Sequence, residues 1–91
     1  MTAYTVPLNG HIYKHFKGNY YYVIGHAHDA DTNELVILYR EVDPTNKPPG
    51  FVWARDLPSW SKPVKIGDKN VERFKHITFA EYSDIKKSKG A

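Results

Sequence analysis

Apolar side chains recur at every second position through most of this 91-residue chain, and a helical period is nearly absent. Alternation by two puts successive side chains on opposite faces of an extended strand, so the chain is expected to build half-buried β-sheet. Tyr20 to His28 carries the pattern furthest. Tyr21, Val23, Gly25 and Ala27 fall on one face; Tyr20, Tyr22, Ile24, His26 and His28 fall on the other. The first set holds no ionisable group except a tyrosine, so it is expected to face the core. Residues 35–41, rich in Val, Ile, Leu and Tyr, read as a second strand. Between them, Asp29-Ala30-Asp31-Thr32-Asn33-Glu34 is turn chemistry, because short polar side chains bond their own backbone. A hairpin with a loop longer than two residues is expected.

Residues 43–50 contain Pro44, Pro48 and Pro49. Prolines remove backbone donors and fix dihedrals, so this segment is expected to be a surface loop. Residues 51–55 read as a third, short strand, and 56–60 as a turn or a single 3₁₀ turn. Residues 64–66 and 71–79 flank Gly67-Asp68-Lys69-Asn70, a further hairpin signal. Residues 80–91 read as a weak helix or a basic tail. The length fits one domain, residues 1–91. Short, closely spaced strands with polar turns predict a mainly β fold, a small SH3-like antiparallel barrel of about five strands.

The chain has no cysteine, which excludes disulfides, thiolate metal sites and cysteine catalysis. The N-terminal residues lack a basic start followed by an apolar run, so no secretion signal is expected. No apolar stretch approaches the roughly 20 residues that span a bilayer. A cytoplasmic protein without a membrane partner is the expectation. The net charge of +3 is unevenly placed: residues 1–59 carry −1 and residues 60–91 carry +4. A basic C-terminal third attracts polyanions or simply solvates a surface.

Catalytic signatures are weak. Ser59, Ser61, Ser83 and Ser88 lie in no Gly-x-Ser-x-Gly turn. Glu34 and Glu41 sit on different parts of one hairpin and do not form an acid/base pair. His26 and His28 share a strand face and could grip a metal ion with Asp29 or Asp31, but a full site needs three or four ligands. The bland reading is a pair of strand-end histidines, and no metal or cofactor is expected. An enzyme is not expected either; a hydrolase or nuclease using His15 and His28 would be its form. Lys17-Gly18-Asn19 reads as a plain loop or as a small anion-binding nest.

The segment from Gly10 to Val23 crowds aromatic, histidine and lysine side chains around Gly18-Asn19. That mixture suits a flat, anionic partner, since rings supply apolar faces and lysines supply charge. The pattern Gly10-x-x-Tyr13-x-His15-Phe16-Lys17-Gly18, then Tyr21-x-Val23, Ala27-His28, Thr32-x-Glu34 and Tyr39, resembles the domain of unknown function 1653 family. Trp53-Ala54-Arg55 and Val71-Glu72-Arg73-Phe74 resemble its second half, so the likeness runs over residues 10–75. Asp56 stands where the family usually has proline, and Ser59-Trp60 where it has a Met-Phe pair. The resemblance implies a small, mostly β, SH3-like domain, with no established activity and a bacterial or phage source.

Tyr13, His15, Lys17, His28, Tyr39, Trp53 and Arg55 form the candidate ligand-binding set. Tyr13, Tyr39 or Trp53 would stack on a base, Lys17 and Arg55 would neutralise phosphate, and His15 and His28 would supply pH-dependent hydrogen bonds. The alternative is packing: Trp53 and Tyr39 close the barrel and Arg55 pairs with Glu34. The expected function is non-catalytic binding of a nucleotide-like, phosphate-bearing small molecule, sequestering a signalling nucleotide. A second reading is RNA or single-stranded DNA binding through Lys62, Lys65, Lys69, Lys75 and the lysines at 86, 87 and 89. A third is protein interaction through the proline-rich loop. A homo-oligomer with two-fold symmetry is expected, with Tyr20 and Tyr22 at its interface.

Overall fold

The computed structural model describes residues 5–43 and 51–88. Its strands are β1 (Ile12–His15), β2 (Tyr20–His28), β3 (Leu35–Val42), β4 (Val52–Asp56), β5 (Val64–Ile66), β6 (Lys69–Val71) and β7 (Phe74–Ile77). The helices are α1 (Leu57–Ser61) and α2 (Phe79–Ser88). Five strands form one antiparallel sheet in the order β4-β3-β2-β1-β7, and β5 and β6 form a separate hairpin. The fold is mainly β with a short C-terminal helix, as the alternation implied. Among the described residues, strand pairing does not close the sheet into a barrel.

The sheet is nonetheless sharply bent. β3 and β7 stand three strand spacings apart, about 14 Å in a flat sheet, yet the Tyr39 and Phe74 rings lie 5.7 Å apart. Into this hollow α1 inserts Trp60. The core consists of Tyr13, Val23, Ile37, Tyr39, Trp60 and Phe74, with Tyr21 and Leu57 packed against it.

Local chemistry explains the connections. At the β1–β2 turn the Gly18 amide donates to the His15 carbonyl at 2.8 Å, with Gly18 at φ +107°, a conformation a side chain would strain. In the β2–β3 loop one Asp29 carboxylate oxygen accepts from the amides of Asp31 (2.8 Å) and Thr32 (3.0 Å). The Thr32 amide, then the Asp31 amide, holds this carboxyl below its ordinary pKa. The expected hairpin and its polar turn are therefore both present. At α2, the Glu81 amide donates to Thr78 Oγ1 while the Thr78 amide donates to Glu81 Oε1, each at 3.1 Å. This reciprocal cap fixes the start of a helix that buries none of its residues.

Three expectations need correction. Residues 57–61 form a short α-helix where the sequence predicts a turn or a single 3₁₀ turn over 56–60: the Asp56 carboxylate accepts from the Ser59 amide at 3.3 Å and caps α1, with Pro58 in its first turn. Residues 71–79 are not one strand; the chain breaks after Val71 so that β6 pairs with β5 and β7 pairs with β1. The faces of β2 switch midway, because Val23 opposes Tyr39 but Gly25 opposes Leu38, leaving Ile24 as an extra residue in a bulge. Directly opposed residues share a face. His26 and His28, opposite Ile37 and Leu35, therefore come round to the face of Ile37 but stay exposed, and the half-buried Gly25 and Ala27 turn to the other face. Tyr21 and Val23 face inward as expected. The proline-rich loop falls outside the described residues for positions 44–50.

Candidate functional site

His15 ends β1 directly opposite Phe74 of β7. Its ring packs on Phe16 (4.5 Å between centroids), Phe74 (4.9 Å) and Tyr21 (6.2 Å). The Lys17 amide donates to His15 Nδ1 at 3.2 Å. A nitrogen that accepts carries no proton, so the neutral imidazole keeps its proton on Nε2. The Lys17 and Gly18 amides are thus both spent within the turn, on the His15 ring and the His15 carbonyl. This geometry favours the plain loop over the nest.

Three cations bear on this ring. Burial first, then the charges of Arg73, Arg55 and Lys17, push the His15 pKa below its ordinary value. Arg55 is held by neutral partners: Nε donates to Tyr39 Oη at 3.1 Å and a terminal nitrogen donates to Ser59 Oγ at 2.9 Å. Its guanidinium also lies 5.6 Å from the Phe74 ring centre. The alternative pairing with Glu34 is not made. Those hydroxyls orient the guanidinium without cancelling its charge.

Beside it opens a cavity of about 1030 Å³ between the N-terminal segment, α1 and the β6–β7 connection. Tyr13, Trp60 and Phe74 give it aromatic walls, and Ser61, Lys62, Arg73 and the acidic Glu72 give it polar ones. Two residues of this lining each keep one buried polar atom, Ser61 Oγ and Arg73 Nε, without a hydrogen-bond partner. A buried polar group left unmade costs about 1–3 kcal/mol, so such atoms mark a place where a partner belongs. Arg73 connects the two features: its charge acts on His15 and its side chain lines the cavity.

Residues 11–76 match the family model described as "Protein of unknown function (DUF1653)". The chain belongs to the DUF1653 family. The matched span includes His15, Lys17, Arg55 and Arg73. A crystal structure of a protein belonging to DUF1653 from Bordetella bronchiseptica is 28% identical, with a TM-score of 0.61. That likeness covers 78% of this chain and 92% of the other. No curated protein matches the chain.

The remaining members of the sequence-derived set are spread over the DUF1653 domain. Tyr39 is buried, its ring enclosed by Tyr21, Trp60 and Phe74, and it serves as the hydroxyl that holds Arg55. Tyr13 is buried on the cavity side, where its hydroxyl accepts from the Leu8 amide at 3.0 Å. Trp53 opposes Tyr39 across the β3–β4 ladder and so shares the face of Arg55, but it is 53% exposed. Lys17 is exposed at the turn, its Nζ 5.8 Å from the Phe16 ring. His28 lies at the other end of β2 from the β1–β2 turn, roughly 25 Å along the strand. There its Nδ1 bonds the Asn33 carbonyl at 3.2 Å.

His15 and Arg55 therefore both pack on Phe74, the Lys17 amide bonds the His15 ring, Tyr39 holds Arg55 from within, and His28 stands apart. The sequence set omitted Arg73, although the Val71-Glu72-Arg73-Phe74 run carried its signal. It also omitted Trp60, read there as part of a turn. His26 bonds the Pro7 carbonyl through Nε2 at 3.0 Å, so both histidines of the 26/28 pair engage carbonyl oxygens. Among the described residues, no group of three His, Cys, Asp or Glu gathers to hold a metal. Among the same residues, no helix is long and apolar enough to cross a membrane.

Proposed function

We propose that this DUF1653 domain binds a phosphate-bearing, nucleotide-like small molecule without transforming it, and acts by sequestering that molecule. The observation that carries the reading is the position of Arg73 between the cationic rim and the aromatic cavity. A ligand's phosphate meets Arg55, Arg73 and Lys17, with the Nε2 proton of His15 as a further donor. Guanidinium groups suit phosphate because their planar forks give two parallel hydrogen bonds. The planar part of the ligand enters the adjoining cavity, where Tyr13, Trp60 and Phe74 supply apolar contact.

The test is a thermal-shift screen of mono-, di- and cyclic nucleotides against the full chain. A ligand at 100 times its Kd should stabilise by about 2.7 kcal/mol. Arg73→Gln and Arg55→Gln should abolish the shift. No response to any nucleotide, or an unchanged response in both variants, would refute the reading.

A second reading draws on Lys62, Lys65, Lys69 and Lys75, all exposed, from the end of α1 into β7. It makes the ligand a single-stranded nucleic acid held by its backbone. Affinity would then fall steeply with salt and with replacement of these lysines by alanine. Binding of a mononucleotide in the cavity would not depend on Lys65, Lys69 or Lys75, which lie outside its lining.

A further inference from the structure

Among the described residues, β4 forms one rim of the large sheet, paired with β3 alone. The outer row of backbone N–H and C=O groups on such a rim is a template for another strand. The chain enters this rim through Phe51, Val52 and Trp53, which are 83%, 58% and 53% exposed. The β3–β4 register is unbroken, and among the described residues no lysine, proline or bulge interrupts Val52, Trp53 or Ala54. The opposite rim differs: β7 places Lys75 at its surface and buries Phe74 and Ile77. Tyr20 and Tyr22, the tyrosines expected at an interface, are half-buried within the chain. Tyr20 meets Tyr82 edge-on at 5.7 Å, and Arg40 lies 6.0 Å from the Tyr22 ring.

We propose that this rim pairs with the same rim of a second copy, β4 antiparallel to β4, about a two-fold axis perpendicular to the sheet. A second copy is the fitting occupant because an antiparallel edge is complementary to itself under such an axis. The axis preserves faces, so each residue must oppose one from its own face. Trp53 and Arg55 share the inner face, Val52 and Ala54 the outer. Centring the axis on Arg55 sets two guanidiniums against each other, which like-charge repulsion forbids. Centring it on Trp53 opposes Trp53 with the partner's Trp53, Val52 with the partner's Ala54, and Phe51 with the partner's Arg55. All three exposed apolar side chains are then covered, and each Arg55 gains an aromatic neighbour. This pairing does not depend on the ligand reading, and its test uses no ligand.

The full chain should sediment at twice its monomer mass, and Val52→Lys with Trp53→Lys should sediment as a monomer. Both side chains are exposed, so the double variant should keep the wild-type circular dichroism and a cooperative melt, lowered only by the loss of association. The register has its own readout, since the chain holds no native cysteine. Opposed Cα atoms on the axis lie about 4.5–5.5 Å apart, within reach of a disulfide. Trp53→Cys should therefore cross-link on oxidation, and Val52→Cys, offset from its own copy, should not. A monomer at every concentration would overturn the proposal. So would a dimer that survives the lysine pair, or cross-linking through Tyr22→Cys in place of Trp53→Cys.

Discussion

Trp60 lies flat against Phe74, with ring centroids 3.8 Å apart and planes 4° from parallel. The two rings come from a short helix and an edge strand that share no backbone pairing. Tyr13 and Tyr39 meet Trp60 with their edges at 5.4 and 5.1 Å. Trp60 is thus the side chain that turns a bent sheet into an enclosed core.

Trp60→Ala should therefore cost about 3–5 kcal/mol, the range for removing a large buried aromatic. Trp53→Ala, at an exposed position of the isolated protomer, should cost well under half of that. Urea unfolding under conditions that keep the protein monomeric measures both. The emission of Trp60 alone, in the Trp53→Phe background, should shift to the red on unfolding.

Asp56→Ala should destabilise by about 1 kcal/mol, since it removes the side-chain acceptor at the start of α1. Asp56→Asn should retain most of the stability, because the amide oxygen can take the same bond. Chemical denaturation of the two variants separates the cap from the charge.

The Tyr39–Arg55 contact should appear as a coupled pair. Tyr39→Phe keeps the ring and removes only the acceptor of the 3.1 Å bond, at a cost of about 1 kcal/mol. Arg55→Gln removes the donor. A double-mutant cycle should show the second substitution costing less once the first is made. Additive costs would mean that the bond orients nothing.

His15 should make stability fall on the acidic side. Its pKa in the folded state lies below the ordinary histidine value, so near that value the unfolded chain binds more protons than the folded one. The contribution is complete above the ordinary range and is lost as pH drops toward the folded pKa. His15→Gln should flatten this part of the stability profile. Arg73→Gln should raise the His15 titration midpoint seen by NMR, as should a bound phosphate group.

Much of the sheet could be read from alternation. Tyr20 to His28 and the strand after it announce a hairpin by composition, and Asp29 announces its turn. The switch of faces after Val23 left no mark, because Ile24 and Gly25 are both compatible with a regular strand; only the partner's register fixes the bulge. Trp60 was misplaced because five residues are too few to show a helical period, although Asp56 and Pro58 are the correct residues for a helix start. At the site, His15, Lys17 and Arg55 were legible as a cationic and aromatic group. His28 followed from a family pattern that carries no distances. Arg73 sits among charged residues of both signs, and nothing in its neighbourhood separates an inward guanidinium from a solvated one.

The pairing of His15 with Phe74 also dictates when the molecule can fold. The last wall of the core arrives with the last strand, so a nascent chain cannot complete the hollow until β7 has left the ribosome. Contacts of such long sequence separation form slowly, because the loop between them must be closed before they are rewarded. Until then Tyr39 and Trp60 stay open to proteases and chaperones, and a product truncated before Phe74 should be degraded rather than accumulate as a smaller domain.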